Sequence, residues 1–377
     1  MTDAAAPVRV ALVHDWLTGM RGGERVLGAL CALFPDADLY TLVHARGRVS
    51  PEIERRRPRV SALGRLPRAE RIYRHLLPLF PFAVEQYDLD GYDLVISSSH
   101  CVVKSVVRPG RARHLCYCHS PMRYAWDQFA AYFGADRIGP TGHRLMRPAM
   151  AALARWDAAT AGRVDRFLAN SQYVAGRIAR YYNREADVVY PPVDTEFFTP
   201  DGGPAGLSFL VVSALVPYKR IELAIEACQA ISAPLTIVGE GPELPRLRAL
   251  AGPGTEFVGR ADDDRLRELY RRAAALVLPG EEDFGMAPVE AQACGRPVVA
   301  LGRGGALESV QGGITGVLVP EPTVDAFAEG LRASRRLTAD ADAIRRQALR
   351  FSRERFATGI RRAVAAVLAD RPQTRSC

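Results

Sequence analysis

Two hydrophobic periods share this chain. Short runs of Val, Ile, Leu and Ala are separated by stretches in which apolar residues recur every three or four positions. The runs are too short for buried helices and predict strands, while the stretches predict amphipathic helices. In the first half, strands are expected at Val8–Val13, Leu94–Ser97, Leu115–Cys118, Arg166–Ala169 and Val188–Tyr190. A second series is expected at Phe209–Val212, Leu235–Val238, Glu256–Val258, Ala275–Leu278, Val298–Ala300 and Val317–Val319. Strands alternating with helices predict parallel sheets covered on both faces, an α/β fold. Between the two series, Thr199-Pro200-Asp201-Gly202-Gly203-Pro204-Ala205-Gly206 gathers helix and strand breakers and marks a linker. Near the end, Phe356, Ile360, Val364, Val367 and Leu368 share one helical face, opposite Arg361 and Arg362. This last helix either caps the second domain or packs back on the first, and Arg371–Cys377 read as frayed.

A chain of 377 residues suits two domains, and 48% hydrophobic with 24% charged residues is the make-up of a globular protein. Lys+Arg 50 against Asp+Glu 42 leaves a net charge of +8, which fits an anionic partner such as a nucleotide, a lipid headgroup or a nucleic acid without choosing between them. Met1–Val8 shows no signal-peptide pattern, and no apolar run reaches the roughly 18 residues of a membrane span. Seven cysteines in a chain this long do not make a disulfide scaffold, so a cytoplasmic location is expected. Cys116-Tyr117-Cys118-His119 lacks the second cysteine pair of a zinc site and reads as a strand end.

From Arg55 to Arg74 there are eight arginines and one glutamate, followed by the apolar stretch Leu76–Val84. A solvated loop and helix would look like this. So would a surface for a lipid-linked anionic acceptor or the cytoplasmic face of an anionic membrane. No nucleic-acid motif accompanies the charge, so nucleic acid is not expected as a partner.

Two loops carry the candidate chemistry. After the first strand comes His14-Asp15-Trp16-Leu17-Thr18-Gly19-Met20-Arg21-Gly22-Gly23-Glu24, leading into a helix whose apolar face is Val26, Leu27, Leu30, Leu33 and Phe34. A glycine pair between strand and helix lets backbone approach a ligand, and the helix N-terminus favours an anion. It is neither an ATPase phosphate loop nor a G-x-G-x-x-G fingerprint. The second loop is Glu282-Asp283-Phe284-Gly285-Met286-Ala287-Pro288-Val289-Glu290. Pro288 suits the first helical position and Gly295 the stop before the next strand, which would put Glu290 in the first turn. The N–H groups of Phe284 to Ala287 would then face a ligand, and two carboxylates can accept from vicinal sugar hydroxyls.

The second loop resembles the E-x7-E motif of glycosyltransferase family 4. Its neighbours are similar to that family in order: Leu215-Val216-Pro217-Tyr218-Lys219-Arg220, Val238-Gly239-Glu240-Gly241-Pro242, Pro279, Glu290–Ala300, then Gly304, Gly305, Glu308, Thr315 and Gly316. In the first half the His14–Glu24 loop, Cys118-His119-Ser120-Pro121, Asn170-Ser171 and Tyr190-Pro191-Pro192-Val193-Asp194 are similar too. The resemblance implies the GT-B fold, two doubly wound Rossmann-like domains facing across a cleft. Residues 1–200 would form the acceptor-side domain, 201–350 the nucleotide-sugar domain and 351–377 the last helix. It further implies a retaining enzyme that needs no metal and no cofactor, with a nucleotide diphosphate sugar as co-substrate.

Carried over by position, the resemblance has Glu290 hold the nucleotide ribose and Glu282 the donor sugar. Lys219, with Arg220, would face the diphosphate, and Gly22, Gly23, Gly239, Phe284, Gly285 and Met286 would line the donor site. His119 would orient the donor sugar, and Arg123, Tyr124 and Trp126 would lie on the acceptor side. Leu215–Arg220 and Cys118–Trp126 look most like mannosyltransferases of bacterial surface glycans. GDP-mannose is therefore the first expectation for the donor, a UDP-hexose the second, and a glycan or polyprenyl-linked acceptor is expected. One departure stands out: where the family commonly has arginine five residues before the lysine, this chain has Ala214. Either Arg220, Arg123 or Arg21 completes the phosphate clamp, or donor affinity is lower. A nucleotide-sugar epimerase of the same fold and a non-catalytic subunit are the competing readings. Asp88-Leu89-Asp90 and Asp262-Asp263-Asp264 mimic a metal-binding Asp-x-Asp but read as a turn and a helix cap.

Overall fold

The computed structural model describes residues 8–369 except 109 and 339, so Arg371–Cys377 and nearly all of Met1–Val8 lie outside the described residues. The chain divides into two compact units. One runs up to Tyr190 and resumes at Phe356, and the other is Pro191–Arg355. The division thus comes before the breaker-rich 199–206 segment.

The first unit holds seven parallel strands: β1 (Val10–Leu17), β2 (Asp38–His44), β3 (Arg59–Val60), β4 (Leu94–Ser99), β5 (Arg113–Cys118), β6 (Arg166–Ala169) and β7 (Ala186–Val188). Their order is β3-β2-β1-β4-β5-β6-β7. Every residue of β4 is buried, as a strand covered on both faces requires. Two strands had no counterpart in the sequence expectation. In β2 the polar Tyr40 and Thr41 interrupt the aliphatic run, and β3 is two residues held by pairing with Tyr40 and Thr41. The last strand lies two residues earlier than expected, because β6 pairs Phe167 with Ala186.

The second unit holds β8 (Phe209–Val212), β9 (Leu235–Val238), β10 (Thr255–Gly259), β11 (Leu276–Leu278), β12 (Val298–Leu301) and β13 (Gly316–Val319). All are parallel, in the order β10-β9-β8-β11-β12-β13. Counted within its own unit, this repeats the order of the first six strands of the other sheet. Both sheets are therefore doubly wound, reversing direction between β1 and β4 and between β8 and β11.

The last helix, Arg353–Ala369, puts Phe356, Ile360, Ala363 and Val367 into the first unit's core beside Leu12, Leu27, Ile96 and Tyr117. Gly359 lets it lie close to Val189, since a Cβ there would come within 2.9 Å of that side chain.

Candidate functional site

In doubly wound sheets, ligands bind beyond the C-terminal strand ends at the point where strand order reverses. In the second unit that point joins the loops after β8 and β11. The first loop closes with a single 3-10 turn, Pro217–Lys219, and Arg220 in the left-handed region (φ 51°) starts the helix Ile221–Ala230. Lys219 Nζ donates to the carboxylate of Glu282, with both side chains largely shielded from solvent. The loops can meet because Gly280 has no side chain: a Cβ would lie 2.7 Å from the Tyr218 carbonyl oxygen and 2.8 Å from Lys219 Cα. Gly239 (φ 142°) plays the same part after β9, where a Cβ would collide with the Ser213 carbonyl. Arg220 extends toward solvent, 4.0 Å from Glu222, and Ala214 is exposed.

The helix after β11 is Met286–Ala293, starting from Gly285 at φ 81°. Pro288 is therefore its third residue rather than its first. Proline is tolerated there because the first N–H groups of a helix have no intrahelical acceptor. Glu290 accordingly stands in the second turn, not the first. It is buried and accepts a 2.7 Å hydrogen bond from the Tyr270 hydroxyl. Phe284 packs its ring on Phe351, so it can offer a ligand only backbone, while Met286 opens the helix half-buried. Gly305 N donates to Glu282 O at 2.9 Å and ties down the loop that carries the acid. Gly295 (φ 75°) ends the helix: its N–H bonds Gln292 O and the next N–H bonds Ala291 O, a Schellman stop.

In the first unit the reversal gathers polar groups on β1, β4 and the residue after β5. Asp15, wholly buried, accepts hydrogen bonds from four consecutive backbone N–H groups, His100 to Val103, at 2.7–3.1 Å. His100 Nδ1 lies 3.3 Å from the same carboxylate. The rings of His14, His100 and His119 sit 5.7–6.4 Å apart. Burial pushes each of their pKa values down to about 3, helped at His100 by the positive charges of Arg21 and Arg123. These rings are neutral at physiological pH. The helix Gly22–Leu33 begins over them, and Glu24 Oε2 accepts from Arg21 N. Burial raises the Glu24 carboxyl to about 7.

Of the three expected acceptor-side residues, Arg123 opens a four-residue helix near His100. Tyr124 OH lies 2.7 Å from Cys101 Sγ, and Trp126 Nε1 donates to Asp157 Oδ2 while its ring stacks on Tyr181. Tyr124 and Trp126 thus turn their polar atoms inward and present only ring surface. The sequence offered Asp15 only as a member of the His14–Glu24 loop, with no role, and did not single out Ser98 or His100. The polar end of an apolar run, Ser97-Ser98-Ser99-His100, at the point of reversal was the signal that could have found them.

The acidic look-alikes are local structure. Asp262 caps Asp263–Arg272 by accepting from Arg265 N at 2.8 Å, and Asp88 Oδ1 accepts from Asp90 N at 3.1 Å. Cys116 and Cys118 are buried in β5. Among the described residues no group of His, Cys, Asp or Glu is placed to hold a metal ion, and no helix is long and apolar enough to cross a membrane.

Residues 20–197 match the Glycosyltransferase Family 4 model and residues 206–334 match the Glycosyl transferases group 1 model. The chain therefore carries glycosyltransferase domains. Among curated relatives, the D-inositol 3-phosphate glycosyltransferase of Acidothermus cellulolyticus (strain ATCC 43068 / DSM 8971 / 11B) is 34% identical over 48% of this chain and 50% of its own. The protein of the same name from Mycobacterium sp. (strain KMS) is 31% identical over 41% of each. The chain spans 41–50% of the length of the curated relatives it matches. Among solved structures, Anabaena Alr3699/HepE in complex with UDP aligns with a TM-score of 0.70 at 16% identity, covering 95% of this chain and 100% of that one. Sucrose-phosphate synthase from Thermosynechococcus elongatus aligns at 0.70 and 20% identity, covering 96% and 100%. These likenesses establish the fold, two parallel α/β domains of the GT-B type.

Proposed function

We propose that this protein is a retaining, metal-independent glycosyltransferase that moves a hexose from a nucleoside diphosphate donor to a glycan or lipid-linked acceptor. The observation that carries the reading is the Lys219–Glu282 pair where the second sheet reverses, eight residues ahead of buried Glu290. An arriving diphosphate gives Lys219 a further anionic partner and releases Glu282 to accept from sugar hydroxyls. Lys219 and the N-terminus of Met286–Ala293 stabilise charge on the departing diphosphate, which is what a metal would otherwise do. Glu290 takes the ribose hydroxyls with Tyr270 steadying its carboxylate. His119 orients the donor sugar.

In the proposed front-face step the acceptor hydroxyl attacks the anomeric carbon on the side from which the phosphate leaves. The C–O bond to phosphate breaks as the new C–O bond forms, and a phosphate oxygen takes the hydroxyl proton. Trapping of a covalent glycosyl–enzyme adduct would overturn this route.

For the donor, UDP and UDP-glucose in Anabaena Alr3699/HepE support a UDP-hexose ahead of GDP-mannose. Calorimetric titration with UDP, GDP and ADP in the absence of metal tests the reading. One nucleotide is expected to bind at micromolar Kd, and Glu290→Ala to weaken it at least tenfold, about 1.4 kcal/mol or more. If none binds to the folded protein, the donor-site assignments fail and a non-catalytic subunit, consistent with Ala214, takes their place. Consumption of the nucleotide sugar without acceptor would favour the epimerase.

A lipid-linked acceptor is supported by the surface that follows β3. Arg65, Arg68, Arg71 and Arg74 are exposed there, together with Leu66 (43%), Ile72 (39%), Leu79 (50%) and Phe82 (67%). Cations beside exposed apolar side chains suit an anionic bilayer at the cytoplasmic face. Changing these four arginines to glutamine should abolish flotation with phosphatidylglycerol vesicles; unchanged flotation and turnover would remove the membrane contact.

A further inference from the structure

Three polar side chains stand side by side across neighbouring strands of the first sheet. His14 on β1 faces Ser98 on β4, and His119 follows the end of β5. Ser98 Oγ is 3.1 Å from His14 Nδ1 and 2.8 Å from His119 Nε2. The hydroxyl owns one proton and, among the described residues, has no acceptor other than these two rings, so it donates to one ring and accepts from the other. Both rings are neutral and carry a single N–H each. Only two arrangements meet these conditions. In one, His14 Nδ1–H donates to Ser98, Ser98 donates to His119 Nε2, and the His119 proton sits on Nδ1. In the other every bond is reversed, and the His14 proton sits on Nε2.

His14 Nε2 separates the two. The side chain is wholly buried, and this atom has no hydrogen-bond partner among the described residues. Beside this ring begins the twelve-residue helix Gly22–Leu33, whose Gly23 is near enough that a Cβ would lie 3.5 Å from His14 Cε1. A helix N-terminus carries partial positive charge and outward N–H groups. It favours a nitrogen lone pair beneath it and disfavours an N–H. The other neighbours of the pair are His100 and Tyr117, whose rings lie 6.2 Å and 5.2 Å from that of His119, with Asp15 engaged by His100 and the backbone.

The geometry points to a one-way hydrogen-bond chain, His14 Nδ1–H to Ser98 Oγ–H to His119 Nε2, that holds the His119 proton on Nδ1. His14 and Ser98 are then positioning residues, and His119 meets a ligand as a hydrogen-bond donor. It orients an oxygen of the sugar and does not remove its proton. This rests on the reading of His119 as a donor-site residue, but its test does not.

Nitrogen-15 NMR of the full-length, histidine-labelled protein at pH 7.5 without ligand reads the tautomer directly, with His119→Gln identifying the signals. In the wild type, Nδ1 of His119 should appear as the protonated nitrogen and Nε2 as the bare one. Ser98→Ala should lose that signature and Ser98→Thr, which keeps the hydroxyl, should restore it. In transfer assays Ser98→Ala should lower kcat about tenfold with KM nearly unchanged, a shift of transition-state contact rather than of uniform binding. A wild-type spectrum with the proton on Nε2, or a signature unmoved in Ser98→Ala, overturns the chain whatever the activity does. If the signature is as expected but His119→Ala transfers sugar at the wild-type rate, the chain stands and the donor-site role of His119 falls.

Discussion

At Gly23 nothing in the protein itself calls for glycine. Its φ is not left-handed, and a Cβ would meet only ordinary contacts with His14 and His119. A ligand brought close to the backbone is the remaining reason for the missing side chain. Gly23→Ala should therefore leave stability unchanged or raise it by up to about 1 kcal/mol, as glycine is disfavoured inside helices. Nucleotide-sugar turnover should fall about tenfold, roughly 1.4 kcal/mol. Urea unfolding and steady-state assays check the two halves, and wild-type turnover would show that no ligand approaches there. Gly239 is the opposite case, since the Ser213 carbonyl already fills the space beside it. Asp15 makes a sharper demand on stability. Asparagine there would keep one acceptor oxygen but turn an NH2 group toward backbone donors that now bond a carboxylate. Asp15→Asn should cost about 3 kcal/mol, read as a lower urea midpoint at unchanged slope. A loss below about 1 kcal/mol would mean the loop after β4 is held by other contacts. The Glu282-to-Glu290 spacing was legible because a loop, a helix and a strand follow one another locally. The bond from Ser98 to two histidines was not, because it depends on strand register between residues 84 and 21 positions apart.

At the scale of elements, the strands of the second unit stood out in the sequence. Phe209–Val212 and Leu235–Val238 are bounded as read, because each is a short run of aliphatic, aromatic or β-branched residues, with Thr236 the one polar member, ending in polar or glycine residues. β2 and β3 were lost for reasons of sequence: adjacent Tyr40 and Thr41 split the aliphatic run of one, and the other is two residues long, too short to carry a pattern. The helix after β11 was legible in kind but began two residues early, since left-handed Gly285 rather than Pro288 opens it. Which polar residues meet across elements left no signal in the sequence. Lys104, in the turn after β4, is 1% exposed and lies 2.8 Å from Asp157, which sits in the last turn of the helix Ala135–Ala159 and is wholly buried. Asp157 Oδ2 also accepts from Trp126 and from Tyr182. Lys104→Met would leave that carboxylate buried without its cation, which typically costs about 3–5 kcal/mol. The same change should loosen the Arg123–Trp126 segment, visible as faster amide exchange there than in the second unit. If stability and exchange are both unchanged, the pair contributes nothing to holding these elements together.

Across the whole molecule, acid sensitivity is distributed unevenly. All seven histidines, at positions 14, 44, 75, 100, 114, 119 and 143, fall in the first unit, and Pro191–Arg355 has none. Sequence alone shows where they are, but only the fold shows that four of them are held neutral. Burial lowers His14, His100 and His119 to about 3 and His114 to about 4. Unfolded, each would titrate near 6.5, so below that pH the unfolded chain binds more protons than the folded one and stability falls as pH falls. The window runs from about 6.5 down to about 3–4. At pH 5 the two wholly buried rings, His14 and His114, each remove roughly 2 kcal/mol. His100 and His119 add to this in the same direction. Glu24 and Asp15 oppose it, because burial raises both carboxyls and each gains a proton in the folded state first; Glu24, raised to about 7, offsets roughly one histidine. The net effect is a loss confined to the first unit. Calorimetry between pH 7.5 and pH 5 should show its transition dropping by about 5–10 °C, with the second unit's much less affected. Amide exchange followed by mass spectrometry assigns each transition to its unit. Transitions that move together, or a first unit indifferent to pH, would mean that these histidines are not held neutral in the folded protein. That result would also remove the neutral-ring condition on which the tautomer of His119 depends.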